Sequence, residues 1–343
     1  MKRILLVFLL LGLAAAGYFG YTKYRVYLTP NVPARLPTPY VHIPNGASFQ
    51  RVVDSLITNG QIRDAAAFAE VAAQLQYVRT PMRAGRFQIQ PGWNNLELVR
   101  HLRGGAQAPV RVTFTNARFV EEVAGDIGRQ IEADSSEIVR LLTDPATLDS
   151  LGLRPETALT LFIPNTYELY WNTSAEALID RMRKEHTRFW SRQDRLAKAA
   201  ALDLTPAEVY TLAAIVQKET NQNSEKPRVA GAYLNRLALG MPLQADPTVV
   251  YALGQFDLRR VLFRHLEVDS PYNTYRNAGL PPGPIAMADI SSIDAVLSPE
   301  DHDYLYFVAR GDESGLHNFS KGTAGHAANI RTYKANLRRR GLR

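Results

Sequence analysis

The sequence predicts an α+β protein with three parts: an amino-terminal transmembrane helix, a small mixed module and a larger mixed domain. Three observations carry this prediction. Residues 4–21 form an uncharged stretch of 18 residues, and residues 43–56 align without gaps to residues 89–102. Beyond residue 109, strand-like and helix-like patterns both occur. We expect the parts to be 1–24, a linker at 25–40, a module at 41–108 and a domain at 109–343.

The composition is that of a folded protein with room for two or three domains. Its 343 residues are 46% hydrophobic and 21% charged, which excludes a mainly disordered chain. The net charge of +7 favours an anionic neighbour such as a lipid surface or an acidic polymer. No basic motif with interleaved aromatic residues indicates nucleic acid. Because Cys is absent, disulfides, thiolate metal sites and a Cys nucleophile are excluded.

The amino-terminal stretch is just long enough to span a bilayer as a helix. A cleaved signal peptide is the alternative, with 4–13 as its apolar region and the small residues 14–16 as the cleavage site. Aromatic residues continue the apolar run as an interfacial belt would, and they favour a retained anchor: Tyr18, Phe19 and Tyr21. Either interpretation exports the bulk of the chain. Basic residues flank the stretch on both sides, so the distribution of positive charge is weak evidence for the orientation of the helix in the membrane.

A Pro-rich segment follows the anchor. Four prolines lie between residues 29 and 39, and such a composition favours a stiff, extended spacer. We therefore predict that this segment holds the next part of the chain clear of the membrane.

The internal repeat predicts the small module. Each copy contains a short strand, a Gly turn, a Ser or Asn that caps a helix, and an amphipathic helix. Another helix is predicted between the copies, at 64–77. The pattern resembles the LysM glycan-binding domain. A structural spacer domain without a ligand explains the same pattern.

The first part of the larger domain mixes both kinds of element. Alternation over 110–115 predicts a strand, and helices are predicted at 118–132 and 135–143. Residues 161–170 are aromatic and turn-rich. One long helix is predicted from a cap at Thr173 or Ser174 to about residue 200, with many basic residues. Those residues fit a solvated helix face, and they also fit a face toward anionic lipid or polymer.

The clearest helix signal lies at 205–220 and contains a glutamate in an unusual place. Thr205 and Glu208 have the spacing of a capping box, and Pro206 occupies the first helical position. Counting about 100° per residue places Glu219 on the same arc as the apolar residues Ile215 and Val216. The neighbouring residues 217 and 218 project away from that arc.

A carboxylate packed against aliphatic side chains is disfavoured in its charged form, which raises its pKa. Such a group can donate a proton near neutral pH, as a general acid must. The alternative is that the helix ends at Glu219 and the carboxylate bends into water. The helix pattern alone leaves both interpretations open.

Residues 243–285 supply candidate sugar-binding groups. A second amphipathic helix is predicted at 227–239, and residues 270–285 are too rich in Pro, Gly and Asn for regular structure, so we expect an ordered loop there. Tyr272 and Tyr275 offer flat apolar faces for sugars, and hydrogen bonds to hydroxyls are available from Gln244, Asp246 and Asn273. For Asp246 and Asn273, local turn capping is the alternative role.

Four segments together resemble the YceG-like family of endolytic murein transglycosylases: IVQKET (215–220), YLNRL (233–237), LQADPTVVYALG (243–254) and SPYNTYRNAGLPPGPIA (270–286). The resemblance extends more loosely over nearly the whole chain. It implies that Glu219 is the catalytic glutamate and that the loop at 270–285 borders a glycan cleft. It also implies a larger domain that is catalytic, lies in the periplasm and is anchored in the inner membrane by residues 4–21.

The sequence departs from the family pattern at three positions. Gln217 replaces a frequent Glu beside the catalytic segment, and Asn165 replaces the Asp of a PDTY motif. Gly325 stands where many relatives have Glu before His326. The position of Gln217 off the apolar arc argues against a direct role for that residue.

The resemblance implies a lytic transglycosylase in which one Glu serves as acid and then as base on peptidoglycan glycan strands, with peptidoglycan synthases as further partners. Two other function classes remain open at this stage. One is a glycoside hydrolase that uses Asp246 or Asp269 as a second carboxylate. The other is a peptidoglycan-binding adaptor without catalysis. No cofactor is implied, and no metal site, because His317 and His326 are nine residues apart without a companion cluster.

Overall fold

The structure, a computed structural model, describes residues 2–258 and 260–342. These residues form both helices and strands, as the predicted α+β class requires. The α-helices are α1 (Lys2–Leu28), α2 (Phe49–Thr58), α3 (Ala65–Gln74), α4 (Asn95–Gly104), α5 (Val120–Gly128), α6 (Ser135–Thr143), α7 (Pro145–Leu151), α8 (Ala175–Trp190), α9 (Arg195–Ala201), α10 (Pro206–Glu219), α11 (Lys226–Ala238), α12 (Asp246–Leu253), α13 (Ile290–Leu297) and α14 (Thr323–Arg339).

The strands pair two by two. They are β1 (Tyr40–Ile43), β2 (Gly85–Gln88), β3 (Val110–Phe114), β4 (Asn165–Leu169), β5 (Tyr306–Ala309) and β6 (His317–Ser320). The described sheets are β1 with β2, β3 with β4, and β5 with β6. Two short 3-10 helices span Pro155–Leu161 and Phe263–Glu267.

The chain divides into two compact units. The first comprises Met1–Val112, Arg129–Ala133 and Tyr167–Ser174, and the second comprises Thr113–Gly128, Asp134–Thr166 and Ala175–Arg343. The chain therefore returns to the first unit twice after residue 112, which a search for contiguous domains does not anticipate.

The internal repeat is present as a structural repeat in the first unit. Strand β1 pairs antiparallel with β2, so that Tyr40 lies opposite Gln88. After each strand, a glycine adopts a positive φ, at Gly46 (74°) and Gly92 (78°). Helix α2 is then capped by the side chain of Ser48, and α4 begins with a capping box. The predicted sequence of strand, turn, cap and helix is thus confirmed in both copies.

The segment predicted as a linker is packed into the first unit. Val32 is fully buried in its core. The side chain of Asn31 donates to the carbonyl of Asp64 (2.8 Å) and to Oδ1 of Asn95 (2.6 Å). Asn95 in turn donates to the carbonyl of Val26 in the last turn of α1 (2.8 Å). The buried amides of Asn31 and Asn95 are satisfied in this arrangement, so the segment around Asn31 and Val32 packs as part of this unit.

Helix α1 has the length and composition of a membrane-spanning helix. Residues Arg3–Leu28 have a mean hydropathy of 2.1 in their most apolar window, and that window is entirely unburied. A helix of about 20 apolar residues matches the hydrocarbon thickness of a bilayer. The predicted amino-terminal apolar helix is therefore present.

Helix α10 lies at the centre of the second unit and packs against α11 and α13. Its capping box and first-position proline are present as predicted. Its residues from 209 to 216 are all buried, including Val209, Leu212 and Val216. A helix that is apolar on all sides is a core helix and does not present one stripe to the core. Helix α10 is therefore buried on all sides over most of its length, and Gln217 and Lys218, which project away from the predicted apolar arc, are only partly exposed.

The long basic helix predicted from residue 174 to about 200 is two helices, α8 and α9. Between them, Gln193 and Asp194 adopt positive φ values of 58° and 55°, which interrupt the helical hydrogen bonds. The break turns the guanidinium of Arg195 inward, where it donates to Asp294 (2.8 Å) and lies over the ring of Phe189 (4.0 Å). A buried, paired arginine at this position was not evident from a run of basic residues.

Other boundaries differ in smaller ways. The helix predicted at 118–132 ends at Gly128. The segment at 161–170 contains strand β4. By contrast, residues 270–285 form an ordered loop without helix or strand, as expected.

Candidate active site

Glu219 is the last residue of α10, and its carboxylate is held by a buried tyrosine. The hydroxyl of Tyr233, on the neighbouring helix α11, donates to Oε1 of Glu219 at 2.6 Å. Tyr233 is 1% exposed, and the ring of Phe307 meets it edge-on with ring centroids 5.5 Å apart. Because both helices are core elements, the position of the carboxylate is fixed before any ligand binds.

Burial raises the pKa of Glu219 to about 7. The hydrogen bond from Tyr233 and the charge of Arg236 act in the opposite direction, because both favour the ionised form. The nearby carboxylate of Asp246 raises the pKa further. Glu219 therefore exchanges its proton near neutral pH, as a general acid and base must.

A polar network fixes the end of α10 that carries Glu219. The backbone N–H of Asp289 donates to Oε1 of Gln217 at 2.6 Å. Asp289 caps α13 and accepts from the buried ammonium of Lys226 on α11 (3.0 Å). The three central helices thus meet at Gln217. This positioning role was missed in the sequence, where Gln217 was noted only as a departure from the family pattern.

One cavity at Glu219 is lined mainly by aromatic and polar side chains, and we call it the aromatic cavity. Its volume is about 370 Å3. Its lining consists of Glu219, Tyr233, Arg236, Leu243, Gln244, Asp246, Tyr275, Tyr306, Phe307 and His326. Aromatic faces with a few hydrogen-bonding groups are the usual lining of a site for a polar organic ligand such as a sugar.

His326 lines the aromatic cavity and has an unused ring nitrogen. Its ring stacks on Tyr306 with centroids 5.1 Å apart, and its Nδ1 is buried without a hydrogen-bond partner among the described residues. Burial and the charge of Arg236 lower the pKa of His326. The neutral ring therefore offers a free polar atom to a ligand in this cavity. Nothing in the local sequence around His326 connects it with Glu219, so it was not among the predicted site residues.

Three of the predicted substrate-binding residues lie together in the aromatic cavity. The hydroxyl of Tyr275 donates to Oδ1 of Asp246 at 2.6 Å. Gln244 is exposed, has a φ of 51° and accepts a long hydrogen bond from Arg236 at its Oε1 (3.4 Å). Both Asp246 and Gln244 therefore keep hydrogen-bonding capacity for a ligand.

The other two predicted residues do not line this cavity. Asn273 is fully buried, and its amide donates to the carbonyls of Leu266 (2.9 Å) and Val268 (2.8 Å). The amide of Asn273 therefore uses its donors on backbone carbonyls close to it in sequence, as in the turn-capping alternative. Tyr272 packs on Tyr251 with ring centroids 4.7 Å apart.

A second cavity adjoins Glu219 and carries several positive charges, and we call it the basic cavity. Its volume is about 440 Å3. It shares Glu219 and Asp246 with the aromatic cavity, and its remaining lining is Arg118, Lys218, Pro247, Val250, Tyr251, Phe256, Leu258, Arg260, Val261 and Ile285. Glu219 thus lies where two chemically different cavities meet.

His317, one of the two histidines considered as metal ligands, is held by a carboxylate. The backbone N–H of His317 donates to Glu225 at 3.0 Å, and its ring Nδ1 lies 3.0 Å from the same carboxylate. Among residues 2–258 and 260–342, no group of three or more His, Asp or Glu side chains could hold a metal ion.

The sequence profile of the YceG-like family matches residues 41–332. The chain belongs to the YceG-like family. The match includes both cavities and the repeat module. It confirms the family resemblance inferred from residues 215–220, 233–237, 243–254 and 270–286.

Two YceG-like relatives are similar over most of this chain. An endolytic murein transglycosylase of Bacillus subtilis is 29% identical over 320 residues, which cover 88% of this chain and 86% of the relative. An endolytic murein transglycosylase of Streptococcus pneumoniae is also 29% identical over 95% of this chain, but this chain covers only 63% of that protein.

A solved YceG-like structure shows a related fold. The crystal structure of a YceG-like protein from Listeria monocytogenes aligns with a TM-score of 0.54 at 30% identity. The alignment covers 84% of this chain and 98% of that one.

Proposed function

We propose that the protein is a membrane-anchored lytic transglycosylase that cleaves peptidoglycan within glycan strands. The main support for this proposal is the environment of Glu219. Its carboxyl is largely enclosed, has a pKa of about 7 and lies at the junction of two cavities. The relatives named endolytic murein transglycosylase support the substrate class and the internal position of the cut.

In the first step, Glu219 acts as a general acid. The protonated carboxyl gives its proton to the glycosidic oxygen between C1 of MurNAc and O4 of GlcNAc. The C1–O bond breaks, and the GlcNAc portion leaves with a free 4-hydroxyl. A carboxyl whose pKa lies near 7 is still largely protonated at slightly acidic pH, which this step requires.

In the second step, the same group acts as a general base. The C6 hydroxyl of the MurNAc ring attacks C1, and the carboxylate of Glu219 takes the hydroxyl proton. The product carries a 1,6-anhydro ring, no water is consumed, and Glu219 ends protonated as it began. Because the nucleophile belongs to the substrate, a second carboxylate to activate water is unnecessary.

Tyr233 stabilises the intermediate state between these steps. Its hydroxyl donates to Oε1 of Glu219 (2.6 Å), so it favours the carboxylate that forms after the first proton transfer. The other carboxylate oxygen remains available to the substrate. This division lets one side chain exchange a proton without losing its orientation.

The test is Glu219→Gln against a matched control on the same helix. Glu208→Gln removes the same charge at the other end of α10 and keeps a residue that completes the capping box. With purified glycan strands, we expect Glu219→Gln to lose at least about a thousandfold in rate while Glu208→Gln retains activity. Wild-type activity in a folded Glu219→Gln protein would refute the proposal.

A two-carboxylate hydrolase is the second candidate, and one observation favours it. Asp246 lines both cavities together with Glu219. Asp269, the other carboxylate considered, is exposed and lines neither cavity. Mass spectrometry distinguishes the two chemistries, because hydrolysis adds one water to the products and the lytic reaction adds none.

We further propose that α1 anchors the protein in the inner membrane with the catalytic unit in the periplasm. Its apolar residues are exposed over the length of a membrane span. Extraction at high pH tests the anchor, since a spanning helix stays in the membrane pellet. Protease added to spheroplasts tests on which side of the inner membrane the catalytic unit lies, because a periplasmic unit is digested without lysis of the cells.

We propose that residues 41–108 bind glycan as a LysM-like module, with peptidoglycan synthases as protein partners of the chain. In the adaptor hypothesis, glycan binding and recruitment of synthases are the entire function of the protein, and no cleavage takes place. It requires normal behaviour of a Glu219→Ala strain and loss of function when residues 41–105 are deleted. The transglycosylase proposal requires that Glu219→Ala abolish the cellular function.

A further inference from the structure

The basic cavity beside Glu219 collects three cationic side chains from separate parts of the chain. Arg118 precedes α5, Lys218 lies on α10 next to Glu219, and Arg260 follows α12. The backbone that carries Arg118 is fixed, because the N–H of Met287 donates to the carbonyl of Ala117 at 2.7 Å. The charges are therefore brought together by the tertiary fold, not by a run of basic sequence.

These three cations have no ion-pair partner among the described residues. Glu122 is an acidic neighbour of this group: its carboxylate accepts from the backbone N–H of Arg118 (2.7 Å), and its charge acts on Lys218 without forming an ion pair. The guanidinium itself lies over the ring of Phe256, 4.4 Å from its centroid. Lys218 is partly buried, and neither it nor Arg260 forms an ion pair within the part of the chain that the structure describes.

Other cations of the same unit have partners within the fold: the buried Arg236 donates to the carbonyls of Leu305 (2.6 Å) and Leu243 (2.7 Å), and three further cations pair with carboxylates. Arg195 pairs with Asp294 (2.8 Å), Lys226 with Asp289 (3.0 Å) and Arg228 with Glu300 (2.9 Å). Arg118 and Lys218 are partly buried, and a partly buried charge without a counter-ion costs free energy, so these two cations, with the exposed Arg260 beside them in the cavity, indicate a place for an anion.

We propose that the basic cavity binds carboxylates of the peptide attached to MurNAc, so that the enzyme prefers glycan strands that still carry acidic peptides. This inference rests on the proposed function. The sugar rings themselves are uncharged, and within a strand the recurring anions are the carboxylates of the peptide on each MurNAc. A volume of about 440 Å3 accommodates more than one peptide residue.

The two cavities then have separate tasks. The aromatic cavity contacts sugar rings and hydroxyl groups, and the basic cavity fixes which MurNAc is presented to Glu219. An arginine held against an aromatic ring is suited to this task, because its planar donors are pre-oriented for a carboxylate.

The experiment measures binding separately from cleavage. Soluble glycan fragments of equal length and with intact peptides, whose peptide carboxylates are either free or converted to neutral amides, are titrated into the full-length Glu219→Gln protein in detergent. We expect the fragments with free carboxylates to bind about tenfold more tightly. Arg118→Gln and Arg260→Gln, added singly and together, should reduce the ratio of the two fragments' affinities toward one. Added salt should reduce this ratio as well. Arg192→Gln changes an exposed arginine two residues after the end of α8; it is the matched control and should leave the ratio unchanged.

Several outcomes decide the inference. Equal affinity of the starting protein for both fragments would overturn it, as would an unchanged ratio in the Arg118→Gln and Arg260→Gln double variant. Because Arg260 is exposed, its substitution provides a folded variant even if Arg118→Gln lowers stability. The absence of 1,6-anhydro products from the wild-type protein would refute the proposed function alone, since the binding ratio does not depend on cleavage.

Discussion

Replacement of Glu219 by Gln should stabilise the second unit at high pH and change its stability little at low pH. Gln has nearly the same shape and can still accept the hydrogen bond of Tyr233, but it carries no charge. In the wild-type protein, the folded state binds a proton at this position more tightly than the unfolded chain does. Protonated Glu219 therefore contributes its full share of the free energy of unfolding below about pH 4.5, and this share is lost as the pH rises through about 7.

The magnitude follows from the pKa of Glu219, which lies at about 7 in place of 4.5. A tenfold change in proton affinity corresponds to about 1.36 kcal/mol. Ionised Glu219 thus destabilises the folded unit by up to about 3 kcal/mol above pH 8, and by less than about 0.5 kcal/mol at pH 4.5. The upper value is a bound, because the side chain retains some contact with solvent in the cavities.

The assay is urea unfolding monitored by the fluorescence of one tryptophan. Trp190 is 2% exposed and belongs to the same core as α10. The other tryptophans, Trp93 and Trp171, lie in the first unit and are replaced by Phe in both proteins. Unfolding of the second unit is then observed by itself. The free energy of unfolding is compared, at pH 4.5 and 8.5, between the protein that retains Glu219 and the Glu219→Gln variant.

The result that would refute the reasoning is a pH-independent difference. If Glu219→Gln changes the free energy of unfolding equally at pH 4.5 and 8.5, burial does not raise the pKa of Glu219. The general-acid role would then lose its physical basis. The Glu208→Gln variant should show no such rise at pH 8.5, since Glu208 is at the exposed start of the same helix.

Three further predictions follow from the same site, and a fourth concerns the loop at 270–285. In the wild-type protein, kcat/KM for glycan cleavage should fall as the pH rises through about 7, because the first step needs protonated Glu219. In Tyr233→Phe, that fall should move to higher pH, since the lost hydrogen bond favours the carboxylate; a move to lower pH would contradict this. His326→Phe should raise KM for glycan several-fold, with kcat less affected, if Nδ1 contacts the sugar. Gly283→Ala should lower the thermal midpoint by several degrees, because its Cβ would clash with the carbonyl of Glu156; an unchanged midpoint would show that the loop adapts.

The parts of the fold that could be predicted are those set by local chemistry. The capping box at Thr205 and Glu208 and the positive φ of Gly46 and Gly92 depend on neighbouring residues. Each has a strong conformational preference that survives in the folded chain. The repeat was predictable for the same reason, because the same short pattern appears twice.

The parts that could not be predicted depend on distant residues. The break before Arg195 is coupled to Asp294, 99 positions away, and no local signal marks that pair. His326 approaches the aromatic cavity only because α14 packs against β5, the strand that contains Tyr306. The residue types of Asn273 and Tyr272 suit a ligand, and the sequence does not reveal that Asn273 donates to carbonyls of its own loop or that Tyr272 packs on Tyr251; their role in substrate binding stays a prediction.

The position of Glu219 at the end of its helix bears on both interpretations that the sequence left open. A glutamate at a helix C-terminus is usually solvated, and the partial negative charge of the helix end there disfavours a further negative charge. Here the chain leaves α10 at the buried residue Thr220, so the carboxylate stays among protein atoms. The helix end and the burial then act in the same direction, and both raise the proton affinity of Glu219. A mid-helix glutamate would have burial alone, so the C-terminal position is an advantage for a group that must hold a proton at neutral pH and release it to the substrate.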